Sequence, residues 1–249
     1  MSVKKSILIV FCLLTIKGFS QNDPLLKPVL LYKKYFLGGG NISSSGWSAG
    51  MRYGFHDKGE DKSSEIMFDF ARVKHEKEVR IVNPAFNNSK PYVFGQLNQT
   101  FALRLGAGRK TALSKRMFQK AVVVNFNYYG GFSAMLLKPV YLEIYYRDND
   151  QSTGSFAVEK YDPEKHMDQS RIFGRTNFFK GIDEMKLHPG GFAKTAFTFE
   201  WGAEEDEIKC IEAGAVLDVY PEEIPVMAFS KNRPYFLSVY LGFNWGTRW

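Results

Sequence analysis

Apolar and polar residues alternate with a period of two in eight stretches of the chain, a pattern that predicts half-buried strands. In the last of them Tyr235, Leu237, Val239, Leu241, Phe243, Trp245 and Trp249 share one face, while Phe236, Ser238, Tyr240, Gly242 and Asn244 share the other. Thr195, Phe197, Phe199 and Trp201 alternate in the same way with Lys194, Ala196, Thr198, Glu200 and Gly202. Ile211, Ala213, Ala215, Leu217 and Val219 stand against Cys210, Glu212, Gly214, Val216 and Asp218. Between Val93 and Gly106, Phe101, Leu103 and Leu105 oppose Thr100, Ala102 and Arg104; between Val122 and Leu136, Val124, Phe126, Tyr128 and Phe132 oppose Asn125, Asn127 and Ser133. Trp47 to Phe55 puts Arg52 on its polar face, and Glu65 to Ala71 does the same with Asp69. Around Tyr35 to Ser43 the run "GGG" blurs the two faces.

Several of these stretches have the roughly 9 to 11 residues that a tilted strand needs to cross a bilayer. Their connections alternate between short turns and long loops, the longest running from Lys138 to Gly191. The pattern predicts an all-β fold, an eight-stranded antiparallel transmembrane barrel of the outer-membrane type over residues 35–249, with one long surface loop at 138–191. A soluble β-sandwich or lipocalin-like barrel, with the apolar face inward, is the alternative, because alternation alone does not say which face meets lipid. Charge placement favours the membrane barrel. Arg52, Asp69, Arg104, Lys194, Glu200, Glu212 and Asp218 would be costly between two sheets, whereas across a narrow lumen they can pair. Arg52 and Arg104 are expected to pair with Asp69, Glu200 or Glu212 and to plug the barrel, in preference to lining a pore.

The first twenty residues add an address. Lys4 and Lys5 precede the apolar run "SILIVFCLLTI" and small residues near Ser20, which predicts a secretory signal peptide over 1–20. Residues 21–34 then form a periplasmic N-terminal segment. Cys210 is the one cysteine of the mature chain, so no internal disulfide is available. The formal net charge of +7 falls to +4 without Lys4, Lys5 and Lys17, leaving 30 basic against 26 acidic side chains. That excess is too mild to argue for nucleic acid.

Candidate chemistry is sparse. His56, His75, His166 and His188 fall in predicted turns or loops, where solvated histidines are expected; His75 beside Glu76 is the nearest approach to a catalytic pair, with no serine placed next to it. Asp148, Asp150, Ser152 and Glu159 have part of a calcium-loop spacing, but Thr153 stands where the sharp turn needs glycine. "GAGRKT", from Gly106 to Thr111, reads as a basic turn. No metal or cofactor is implied. The loop at 138–191 mixes aromatic and charged residues, and Tyr145, Tyr146, Phe178 and Phe179 are candidates for contacting a partner; packing on the loop itself, or capping the barrel, is the other reading.

The phrases "FSQN", "YVFGQLNQTFALRLGAGRK" and "YYGGFSAMLLKPVYLEI", with the last strand, resemble the small outer-membrane β-barrel proteins of the Bacteroidota. Leu241, Phe243, Trp245 and Trp249 likewise resemble the C-terminal signal that barrel-assembly machinery reads in outer-membrane proteins. The resemblance covers essentially the whole mature chain and implies a non-enzymatic accessory subunit of an envelope complex, such as type IX secretion or barrel assembly. Its implied partners are outer-membrane lipid, the assembly machinery during insertion, and an envelope-complex protein. No catalytic residues carry over. A lipid-modifying barrel enzyme and a narrow pore are the alternatives.

Overall fold

A computed structural model describes residues 33–56, 62–114, 122–147, 154–201 and 206–249. The expected signal peptide, the N-terminal segment up to residue 32, and the calcium-like Asp148, Asp150 and Ser152 lie outside the described residues.

The elements are β1 (Lys34–Ser43), β2 (Gly46–His56), β3 (Lys62–Val73), β4 (Arg80–Ile81), β5 (Tyr92–Val93), β6 (Asn98–Ala112) and β7 (Val123–Pro139), then β8 (Tyr141–Arg147), β9 (Gly154–Lys160), β10 (Ile172–Arg175), β11 (Lys186–Trp201), β12 (Glu207–Val219) and β13 (Tyr235–Arg248). Eight of them close an antiparallel barrel in the order β1-β13-β12-β11-β7-β6-β3-β2. Each of the eight overlaps one of the stretches that alternate in the sequence, with β6 displaced: it starts at Asn98, not near Val93, and runs past Gly106 to Ala112. Closure pairs β1 with β13, from Tyr35 opposite Arg248 to Ser43 opposite Tyr240, and the Trp249 N–H donates to the Lys34 carbonyl at 2.9 Å. Every strand of the barrel therefore has two hydrogen-bonded neighbours, which removes the open edges that invite aggregation.

The run Gly38-Gly39-Gly40 allows this seam. A Cβ on Gly39 would collide with the Phe243 carbonyl and the Asn244 side chain, so the backbones of β1 and β13 approach only because none is there. Gly39→Val is expected to cost about 1–3 kcal/mol through overpacking. The check is the urea midpoint of the refolded barrel, and an unchanged midpoint would show that the seam tolerates a side chain.

At the lower end, which carries Lys34 and Trp249, the connections span 57–61, 113–122 and 202–206. At the upper end only the 44–45 turn is short; the others span 74–97, 140–185 and 220–234. The 138–191 region is less of a loop than its sequence suggests. β7 runs through Pro139 and β11 starts at Lys186, and between them β10, β8 and β9 pair into a separate sheet, with β4 and β5 as a small second one. β8 alternates too: Leu142 and Ile144 are buried with Tyr92, Val140, Tyr161 and Ile172 in a core of the cap's own. Asn83 ties the cap together by donating to the carbonyls of Gln169, Ser170 and Ile172 at 2.8, 3.0 and 2.8 Å.

The 220–234 segment closes the upper mouth. Tyr220, Ile224, Val226 and Met227 pack with Ala71, Val73, Ala102, Met135 and Leu137 from the barrel wall. Asn232 holds the bend, accepting from the Val226 and Met227 N–H groups and donating to the Met227 carbonyl.

"GAGRKT" is not a turn: residues 106–111 continue β6. Gly106 and Gly108 read as turn signals, yet they face inward, where the rings of Phe192 and Tyr129 occupy the space a Cβ would take. The histidines also depart from expectation. His56 ends β2 and His188 lies within β11; only His75 and His166 are in loops. His166 is buried, not solvated: its Nδ1 accepts from the Asp162 N–H at 3.0 Å and its Nε2 lies 3.4 Å from Glu159.

Candidate functional site

The inward faces of the eight strands converge on a lumen packed with charge. Five cations, Arg52, Arg104, Lys110, Lys194 and Arg248, meet five carboxylates, Glu65, Asp69, Glu200, Glu212 and Asp218. Near the cap, Arg104 donates through Nε and Nη2 to both oxygens of Asp218 at 2.8 and 2.7 Å and through Nη1 to Asp69 at 2.8 Å. Ser133 adds a hydrogen bond to Asp218 at 3.0 Å and contacts Tyr220 at 2.7 Å, which joins this triad to the closing segment.

In the middle layer Glu212 pairs with Arg52, accepts from Tyr240 at 2.6 Å and lies 3.6 Å from Lys194, whose ammonium sits 4.5 Å over the Tyr240 ring. Glu65 accepts from both Tyr35 and Tyr129. Below it, Glu200 bridges Lys110 at 3.1 Å and Arg248 at 2.9 Å. Asp69, Glu200, Glu212 and Asp218 each pair with a cation, as burial of ions requires, whereas Glu65 is held by the two tyrosine hydroxyls. Beside the upper triad remains a cavity of about 10 Å³, bordered by Asp69, Arg104 and Lys194. That is room for about one water.

The seven charges singled out in the sequence do not form one network. Arg104 joins Asp69 and Asp218, and Arg52 and Lys194 join Glu212, but Glu200 sits a layer lower, with Lys110 and Arg248. Lys110 was hidden by the expected turn at "GAGRKT". Tyr35 and Tyr129 were hidden by their bulk, since an aromatic residue at an alternating position reads as apolar; the signal available was their phase, which matches Asn41 on β1 and Asn127 on β7, while Tyr240 already shared the face of Ser238 and Asn244.

The outward faces carry the opposite chemistry. Ile42, Trp47, Met51, Ile66, Phe68, Leu105, Phe197, Leu237 and Val239 are all exposed, and Phe132 is 81% exposed. Leu241, Phe243, Trp245 and Trp249, the expected assembly signal, face outward in the same band. Along β7 the outward positions from Phe126 to Leu136 cover about ten residues, or about 33 Å of strand. Tilted by about 40°, that gives a belt about 25 Å tall. Charges bound it: Arg72 and Lys138 follow Phe70 and Leu136 on the outer face above, Lys34 and Lys209 lie on that face below, and Arg109 stands at the lower edge, opposite Tyr128.

The four aromatic candidates of the cap separate. Tyr145 packs on Phe86 and Phe156, inside the cap. Tyr146 is partly exposed and donates to Glu159 at 3.1 Å. Phe178 lies edge-on to Phe101, outside the barrel wall, whereas Phe179 is 72% exposed.

Elsewhere in the cap, Glu184 accepts from Tyr141 and pairs with Lys160 at 2.9 Å. The Tyr141 hydroxyl first, and then Lys160, hold its carboxyl below the ordinary value. A depressed carboxylate contributes its tie above the unfolded-state pKa and loses it as pH falls through the folded one. A chemical-shift titration is expected to place the Glu184 midpoint below that of free glutamate. Lys160→Gln should move it upward; an unmoved midpoint would remove Lys160 from the tie. Among the described residues no three His, Cys, Asp or Glu side chains gather as metal ligands, and no helix is long and apolar enough to cross a membrane.

Strand pairing, outward apolar belt and filled polar lumen together define a closed eight-stranded β-barrel with inverted polarity. Solved structures similar to the chain include the N-terminal β-barrel domain of Pseudomonas aeruginosa OprF, at 6% identity and a TM-score of 0.37, over 88% of this chain and 98% of that one. Ail, the attachment invasion locus protein of Yersinia pestis, in complex with the heparin analogue sucrose octasulfate, matches at 10% identity and a TM-score of 0.36, over 88% and 99%. No protein-family model matches the chain. Nor does any curated protein.

Proposed function

We propose that this chain is an integral outer-membrane barrel that serves as a non-enzymatic accessory or scaffolding subunit of an envelope complex, holding a protein partner through its cap. The observation that carries the reading is that the upper connections fold into a body with its own core, while Phe156, Val158 and Phe179 stay exposed on it. Mere connection between two strands needs no such core.

The belt of about 25 Å supports the membrane placement, since it matches the apolar band of outer-membrane barrels. The ion-paired lumen and the apolar closure above it support a plug over a pore. The likeness of the sequence to small Bacteroidota barrels supports protein secretion, type IX included, or outer-membrane assembly as the process served.

The test is gentle-detergent purification of a tagged copy from native membranes, with particle mass and co-purifying proteins determined together. A stoichiometric partner, lost when residues 141–184 are replaced by a short turn, is the expected result. A lone particle of monomer size would sink the scaffold reading and bring lipid chemistry and conductance forward.

A further inference from the structure

Where the cap meets the outside of the barrel, a cavity of about 450 Å³ opens beside the upper ends of β6 and β7. Gln99 and Lys138 form its barrel side; Lys90, Arg175, Thr176 and Asn177 come from the cap. Three cations therefore border a space with a single carboxylate, Glu143, and Lys90 already takes that one at 2.6 Å.

Lys138 is the unusual member. It is 2% exposed, and among the described residues no carboxylate lies within ion-pair distance of it. Its ammonium sits 5.2 Å from the centre of the Phe178 ring, a contact that holds the side chain in place without neutralising it. Arg175 is exposed and likewise has no ion pair among the described residues. A buried cation without a counter-charge is costly, and both charges border the same cavity. An anion there would remove the cost.

We infer that this cavity binds the phosphate group of an outer-leaflet lipid. The inference rests on the membrane reading above and adds a ligand to it. Chemistry favours phosphate: a guanidinium fork, an ammonium, and hydroxyl and amide donors from Thr176, Asn177 and Gln99 suit a tetrahedral oxyanion. Position favours a lipid source. Lys138 follows Leu136 on the outer face by one alternation, and Gln99 stands in the same relation to Phe101, so the cavity opens where the apolar belt ends. Below it, Leu105 and Phe132 offer exposed apolar surface for the acyl chains.

The test uses the full chain purified in mild detergent from native outer membranes, as wild type, as Lys138→Gln/Arg175→Gln, and as Lys160→Gln, a cap cation outside the cavity. Lipid phosphorus retained per chain is measured, then binding of a short-chain phosphatidic acid and of inorganic phosphate by calorimetry. Wild type and Lys160→Gln should retain phosphorylated lipid, with the double variant binding phosphatidic acid at least about tenfold more weakly. Arg175→Gln alone, on an exposed side chain, should weaken binding in the same direction and serves if the Lys138 change disturbs folding. Equal retention by all variants overturns the site. Inorganic phosphate binding as tightly as the lipid overturns the lipid source. Carbonate extraction keeps the two readings apart: protein that stays in the membrane but holds no lipid sinks the site alone, and protein that washes off sinks the membrane placement.

Discussion

Arg104→Met is expected to destabilise the barrel by about 3–5 kcal/mol, the largest effect of any single lumen substitution considered. Three charge-assisted hydrogen bonds disappear at once, two to Asp218 and one to Asp69. The loss of attraction is the smaller part of the cost. Asp69 and Asp218, both almost fully buried, would be left facing each other as carboxylates without a cation, and removing one partner of a buried ion pair is far worse than removing all of them. Arg104→Met combined with Asp69→Leu and Asp218→Leu should therefore recover most of the loss. The measurement is the urea midpoint of each variant refolded into bilayers. A single variant as stable as wild type would mean that the triad contributes nothing to holding the barrel closed.

Phe132→Arg separates lipid from water on the outside. Phe132 is 81% exposed and midway along β7, so an aqueous surroundings would make the change nearly neutral, within about 0.5 kcal/mol. In a bilayer the guanidinium would lie inside the apolar belt, at a cost of about 2–4 kcal/mol near the midplane. The expected result is the second, read from folding equilibria in bilayers against Lys34→Phe, which changes an exposed charge at the lower end of β1, outside the belt. A neutral Phe132→Arg would place the belt against water or protein and remove the main support for the membrane reading.

Strand number, order and facing were legible in the sequence because each barrel strand has one apolar and one polar side, and a period of two survives wherever both sides are kept distinct. Legibility failed where local chemistry imitated something else. Gly106 and Gly108 look like turn residues, but they are small because Tyr129 and Phe192 fill the lumen beside them. That the 138–191 region could cap the barrel is one of the two readings its sequence leaves open, but the sheet and core inside it were not legible, for a different reason. Leu142 and Ile144 alternate visibly, yet they are buried by Tyr92, Tyr161 and Ile172, partners too distant in sequence for a local pattern to reveal. Among the lumen charges, the pairing of Arg104 with Asp69 lies between adjacent strands, whereas Asp218 reaches it across the interior from β12. Alternation assigns a residue to a face and says nothing of its neighbour across the barrel.

The cross-lumen pairs also have a mechanical meaning. Arg104 to Asp218, Lys110 to Glu200, Arg52 to Glu212 and Tyr129 to Glu65 each join strands that are not hydrogen-bonded neighbours. They act as spokes within a rim. A hollow cylinder under lateral pressure can flatten to an ellipse, but one braced by several chords, each spanning two or three strands of the eight, keeps its round section. A pull on the upper body would then be borne by the whole wall as a strut bears load, with little change of shape to pass on to the lower turns.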